Sequence, residues 1–193
     1  MNRKLLDEDD DIDSTNKEKL VIRLPINYEY IISIDSDIDE PHNYREIFET
    51  LRTAKDGDIA YLNINCYGGY IHSMVELYDV LLNTKARTIA NVYTAYSAGS
   101  VIALSCDEID IKKFGSLMIH CMSSGTSGKI IDIQGYSDFA IKQDKEIADT
   151  IYSGFLTKEE IKKVNAGKEI WINQEEALSR LKNFKSIKQR FLK

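Results

Sequence analysis

Apolar and polar residues follow two different periods along the chain, and each period predicts one kind of element. Stretches rich in β-branched and aromatic residues, typical of strands, cover 28–34, 59–65 and 87–93, with shorter ones at 108–111 and 117–119. Apolar residues three or four positions apart, typical of helices, cover 43–53 and 71–83, and small apolar residues continue to Leu104. Strands that alternate with helices predict repeated βαβ units, so the expected fold is α/β with a mainly parallel sheet.

The last part of the chain predicts helices with recognisable ends. Apolar residues on a mostly polar background indicate a helix over 136–151. Thr157 and Glu160 form a capping box, in which each side chain accepts a backbone N–H at the start of a helix. Gly167 is the predicted end of that helix, because glycine tolerates the left-handed conformation found there. Asn173 predicts the start of another helix by the same cap chemistry.

The composition is that of a folded domain with an acidic arm. Of the 193 residues, 43% are hydrophobic and 29% are charged, a balance typical of globular proteins rather than disordered ones. The segment from Asp7 to Asp13 is a block of like charges that repel one another. Residues 1–18 are therefore predicted to be a flexible tail, and 19–193 a single domain.

Charge and cysteine usage disfavour several kinds of partner. Lys and Arg number 25 against 31 Asp and Glu, a net charge of −6 that argues against nucleic acid and anionic membranes. No apolar run is long enough to cross a bilayer, and the acidic N-terminus does not resemble a secretory signal, so a cytoplasmic protein is expected. Cys66, Cys106 and Cys121 form no CxxC pair, which predicts free thiols and no metal site.

Residues capable of chemistry lie at three junctions between elements. Gly68-Gly69 joins a strand to a helix, where backbone N–H groups can approach a ligand. Ser97 lies among small residues at the start of an apolar helix, and His120 ends the apolar run 117–119. A histidine titrates near neutral pH and can act as general base for a serine. Each position also has a structural interpretation: a Gly-Gly turn, a helix N-cap and a strand-end histidine.

Taken in order, the three junctions resemble the Clp peptidase family, ClpP, within the crotonase-like fold. The family loop, close to NSPGGSV, is similar to Asn65–Ile71 here. The family segments like AASMGA and MIHQP are similar to Ala95–Ser100 and Met118–Met122. The resemblance covers residues 25–180 and implies a protruding handle helix, here the segment 136–151.

This resemblance implies a serine endopeptidase that uses no cofactor and no metal. Ser97 would attack the scissile carbonyl, and His120 would take and return the proton. The N–H groups of Gly68 and Ala98 would form the oxyanion hole. Gly69 would belong to the same substrate-binding loop.

The family also implies partners. Its members form heptameric rings stacked face to face around a closed chamber that receives peptides or unfolded proteins. We therefore expect a homo-oligomeric ring, a heptamer or double heptamer, served by a separate AAA+ unfoldase. Because the composition suggests an AT-rich genome, a phage head maturation protease is a variant of this hypothesis.

The sequence departs from the family at the third position of the triad. The family has an aspartate in a Gly-Leu-x-Asp segment, whereas no aspartate follows Asp149 here. Asn183 occupies nearly the same place and could orient His120 through its amide oxygen. The alternatives are a carboxylate from Asp138, Asp144 or Asp149, or no third residue at all.

Two other functions remain open at this stage. The missing aspartate favours an inactive or attenuated ring subunit that modulates an active partner. A crotonase-type acyl-CoA enzyme would use the glycine turns for a thioester oxyanion, but Ser97 and His120 at the peptidase positions argue against it.

Overall fold

The computed structural model describes residues 27–191, so the predicted tail 1–18 lies outside the described residues. Its centre is a five-stranded sheet in the order β1-β2-β3-β4-β5. The strands are β1 (Glu29–Ile34), β2 (Ile59–Cys66), β3 (Arg87–Tyr96), β4 (Glu108–Ile119) and β5 (Ile170–Asn173). The first four are parallel, and β5 runs antiparallel to β4. This confirms the mainly parallel sheet expected from the sequence.

Helices connect the parallel strands one after another. They are α1 (Arg45–Thr53), which a 3-10 turn (Pro41–Tyr44) precedes, α2 (Ile71–Asn83) and α3 (Ala98–Ser105). The second half adds α4 (Ile130–Ile151), α5 (Lys158–Asn165), α6 (Gln174–Leu181) and α7 (Ile187–Phe191). The βαβ units predicted from the sequence are therefore present. Within residues 27–191, no helix is long and apolar enough to cross a membrane.

One face of the sheet is covered and the other is open. The neighbouring residues Ile32, Leu62 and Ala90 point to the same face and are buried in the core with α1, α2 and α3. On the opposite face, Ile31 is 76% exposed and Tyr93 is 50% exposed. Right-handed crossovers between strands in sequential order place all the connecting helices on one side. The strands accordingly alternate in burial.

Several element bounds differ from the prediction. β3 continues past residue 93 to Tyr96, and the two short strands predicted at 108–111 and 117–119 form one strand, β4. Phe114, with φ of 67°, marks an irregularity in β4 where the register against β3 shifts. α4 begins at Ile130 instead of 136. The prediction missed its first turn because the apolar residues there do not form a buried face: Ile130 is 84% exposed. β5 was not predicted, since four residues carry little periodicity.

The predicted helix ends are confirmed. Glu160 N donates to Thr157 Oγ1 at 3.2 Å, and Thr157 N donates to Glu160 Oε2 at 2.8 Å, the reciprocal bonds of a capping box. Asn173 Oδ1 accepts from Glu176 N at 3.0 Å at the start of α6. Gly167, with φ of 82°, follows the end of α5.

Candidate active site

Three strands bring the candidate residues to one edge of the sheet. Gly68-Gly69 follows β2, Ser97 follows β3 and His120 follows β4. Because these strands are parallel neighbours, their carboxyl ends lie side by side, the usual place for ligand sites in open α/β sheets. The structure thus brings together the three junctions singled out in the sequence.

Ser97 and His120 are in hydrogen-bond contact. The distance from His120 Nε2 to Ser97 Oγ is 2.8 Å, and both side chains are half-buried. Ser97 has φ of 52° and ψ of −120°, a conformation rare for a residue with a side chain. Its N–H donates to Met118 O at 2.8 Å, which fixes the turn to β4. The sharp strand-to-helix turn exposes the serine hydroxyl, as in a nucleophile elbow.

The backbone behind Ser97 is held by a buried hydroxyl pair. Ser100 Oγ donates to the carbonyl oxygen of Ser97 at 2.7 Å and lies 3.1 Å from Tyr152 Oη. Burial raises the pKa of Tyr152 to about 12, so its phenol stays protonated at neutral pH. The sequence did not identify this pair, since α4 and α3 come together only in the fold.

The Gly68-Gly69 loop requires both glycines. Their φ values of 136° and 130° are unfavourable for other residues. A Cβ at Gly68 would lie 2.9 Å from Ser97 Cβ, and one at Gly69 would overlap the Ile38 carbonyl oxygen. Ile38 also holds the loop from outside: its N–H donates to Gly68 O at 2.6 Å, and Tyr70 N donates to Ile38 O at 2.9 Å.

Cys66 supports the same loop from below. Gly68 N donates to Cys66 Sγ at 3.4 Å, and the thiol donates to Gly68 O at 3.3 Å. Burial raises the pKa of this thiol, so it remains neutral. Gly99 of α3 packs against it, because a Cβ there would lie 3.3 Å from Cys66 Sγ. Cys66 therefore lies between the glycine loop and the helix that begins after Ser97.

A cavity of about 430 Å³ opens beside the Ser97–His120 pair. One wall is the strand edge, with Gly69 and Ala98. The other wall is the segment after His120 together with α4. Two hydrogen bonds fasten that segment: Met122 N donates to Asp144 Oδ1 at 2.9 Å, and the hydroxyls of Ser124 and Tyr136 lie 2.7 Å apart. The cavity is large enough to hold several atoms of a bound peptide beside the serine.

Comparison with known proteins now identifies the family. A family model described as Clp protease matches residues 15–180, most of the chain. The chain belongs to the Clp protease family. A search of curated proteins finds no matching relative. The family match supports a ClpP-like peptidase, in agreement with the resemblance seen in the sequence.

The structure does not bring the third predicted residue of this Clp protease site to His120. Asn183 is exposed in the turn after α6. Its neighbours Leu181 and Phe184 line a separate cavity with Glu108, where β4 begins, whereas His120 follows the other end of β4. Among residues 27–191, no hydrogen bond is made by Nδ1 of His120. Asn183 therefore does not occupy the orienting position expected from the sequence.

Proposed function

We propose that this member of the Clp protease family is a serine endopeptidase with Ser97 as nucleophile and His120 as general base. The observation that carries the proposal is the 2.8 Å contact between His120 Nε2 and Ser97 Oγ at the mouth of a cavity. A nucleophile and a base within hydrogen-bond reach are the signature of covalent catalysis. The positive φ of Ser97 supports the same role, because strained backbone is concentrated at functional sites.

The chemistry follows from these positions. Ser97 Oγ attacks the carbonyl carbon of a peptide bond while its proton passes to His120 Nε2. The C–N bond then breaks, and the imidazolium gives the proton to the leaving amine. Water attacks the acyl-enzyme with His120 again as base, which releases the new carboxylate and restores Ser97. The developing negative charge on the carbonyl oxygen needs two N–H donors.

We assign those donors to Gly69 and Ala98 rather than to Gly68 and Ala98. The N–H of Gly68 already donates to Cys66 Sγ, so it is not free to bind a carbonyl oxygen of the substrate. Gly69 and Ala98 both line the cavity with Ser97. Within residues 27–191, neither of their N–H groups takes part in a backbone hydrogen bond outside the regular elements. The sequence named Gly68 for this role, whereas these contacts favour the second glycine of the pair, Gly69.

A second function is an attenuated or inactive subunit of a ClpP-like ring. The exposed position of Asn183 favours it, because among residues 27–191 the Nδ1 of His120 makes no hydrogen bond to a group that would orient the imidazole. In a serine protease triad, exchange of the aspartate for asparagine lowers kcat by about 10⁴. Such a subunit would keep the fold and the ring contacts while a partner performs cleavage.

A fluorophosphonate probe distinguishes the two functions. The probe reacts with an activated serine, so we expect labelling of the wild-type chain and mapping of the adduct to Ser97. Ser97→Ala should abolish both labelling and hydrolysis of a fluorogenic peptide. Ser179→Ala, an exposed serine on α6, serves as the matched control and should label fully. Folded wild-type protein that does not label would favour the inactive subunit, and labelling of Ser97→Ala would refute the assigned nucleophile.

A further inference from the structure

α4 carries five carboxylates, among them the three named from the sequence as alternative partners for His120, and only one of the five lines the cavity beside the reacting pair. Asp138 and Asp149 are exposed on this helix, and neither lines the cavity that contains Ser97 and His120. Asp144 is half-buried and lines that cavity. It is the only carboxylate among the described residues that does so. The helix therefore presents a single carboxylate toward the reacting pair.

Asp144 is also joined to the chain segment that carries the base. Its Oδ1 accepts the N–H of Met122, two residues after His120, at 2.9 Å. Resting on the proposed peptidase function, we propose that Asp144 is the positioning residue of the site: it holds the segment from His120 to Met122 and supplies negative charge toward the imidazolium. It would supply negative charge to the site from α4, without the direct contact to the imidazole that a triad aspartate makes.

The two contributions have separate physical causes. Asp144 and His120 share no hydrogen bond, so the positional effect passes through the Met122 backbone. The electrostatic effect needs no contact, because a negative charge across a partly enclosed cavity favours the protonated imidazole. The Asp144 charge already acts on a neighbour within the cavity wall, since it contributes to the raised pKa of Tyr152.

Other titratable groups line the same cavity, and their effects on a pH profile must be distinguished from that of His120. Tyr70 precedes α2 and His72 lies in its first turn, while Tyr136 lies in α4 and Tyr152 directly follows it. Cys121 adjoins His120 in the chain. His72 is the only other histidine among the residues that line this cavity. A His72→Asn background therefore assigns the acidic limb of a pH profile to His120.

The test is the pH dependence of kcat/KM for a fluorogenic peptide. Asp144→Asn keeps an oxygen for Met122 N–H but removes the charge, whereas Asp144→Ala removes both. We expect kcat to fall roughly tenfold or more in Asp144→Asn and further in Asp144→Ala, because His120 is then a less effective general base and, in Asp144→Ala, is also less well positioned. The acidic limb should move to lower pH in Asp144→Asn, because the imidazolium loses a stabilising negative charge.

Asp149→Asn is the matched control, since it removes the same charge from an exposed position on the same helix. It should leave kcat and the acidic limb unchanged. If the wild type is active and Asp144→Asn leaves its pH profile unchanged, the proposed role of Asp144 is wrong and the peptidase function stands. The same conclusion follows if Asp149→Asn shifts the profile as much as Asp144→Asn does. A wild type without hydrolysis overturns the peptidase function and this inference with it. If Asp144→Ala does not fold, Asp144→Asn alone decides.

Discussion

At the scale of residues, Cys66 contacts both the glycine loop and α3, the two segments to which we assign the oxyanion donors. It lies 3.4 Å from Gly68 N and packs against Gly99, so it separates the glycine loop from α3 by a fixed distance. A buried N–H that loses its acceptor costs about 1–3 kcal/mol. The loop would then shift toward another acceptor and carry Gly69 with it.

We therefore expect Cys66→Ala to lower kcat roughly tenfold, with a smaller change in KM, because misplacement of one oxyanion donor weakens transition-state binding. Cys66→Ser keeps a donor and an acceptor at the same position and should restore most of the activity. Steady-state kinetics on a short peptide measure both. Equal kcat for Cys66→Ala and the wild type would show that the thiol does not position the loop.

At the scale of elements, one carboxylate links α5 to α6 in the second half of the domain. Glu160 caps α5 and also binds Arg180 of α6, with Oε1 at 2.6 Å from Nη2 and Oε2 at 2.9 Å from Nη1. The hydrogen bonds from Arg180, followed by those from Thr157, lower the pKa of Glu160 from 4.5 to about 2. Folding therefore stabilises the ionised form of the Glu160 carboxylate relative to its protonated form.

The sign of the pH effect follows from that lowered pKa. Above pH 4.5 Glu160 is ionised in both states and its full contribution to stability is present. As the pH falls from 4.5 toward 2, the unfolded chain takes up the proton first and the contribution is lost.

Glu160→Gln should accordingly lower Tm at pH 6, and the difference from wild type should shrink as the pH approaches 2. Thermal unfolding followed by circular dichroism at a series of pH values measures this. Glu159→Gln, at an exposed neighbouring position, is the control and should leave Tm nearly unchanged. A Tm difference that stays constant with pH would exclude the linkage to Glu160 ionisation.

At the scale of the molecule, α4 and the open face of the sheet both expose large apolar side chains. α4 exposes Phe139 by 60% and Ile141 by 69%, and the open face of the sheet exposes Ile31 by 76%. Burial of exposed apolar side chains against a second copy of the chain would favour association. The Clp protease family generally forms oligomeric rings, and we expect the same of this chain.

Light scattering after size exclusion should therefore give a mass several times 22.1 kDa at micromolar concentration. Phe139→Glu places a charge in the apolar part of α4 and should lower the mass. Lys142→Glu changes the charge of an exposed residue of the same helix and should not. A wild-type mass of a single chain would contradict the expected ring.

The sequence by itself determined the elements whose signals are local. The helix 71–83 was predicted with the bounds of α2, and the caps at Thr157 and Asn173 lie where predicted, because periodicity and capping depend on residues a few positions apart. The pairing of Ser97 with His120 also followed from sequence order, since successive parallel strands bring their carboxyl ends to one edge.

Only the tertiary structure decided the groups whose roles depend on contacts between distant segments. The Gly68 N–H points toward Cys66 because of how the loop after β2 packs against α3 and Ile38. Our assignment of Gly69 as an oxyanion donor depends on that packing. Asn183 is exposed because of how α6 packs on the domain. Asp144 lines the cavity because of how α4 packs there. Spacing along the chain does not encode these positions, because they result from side-chain packing summed over the whole core.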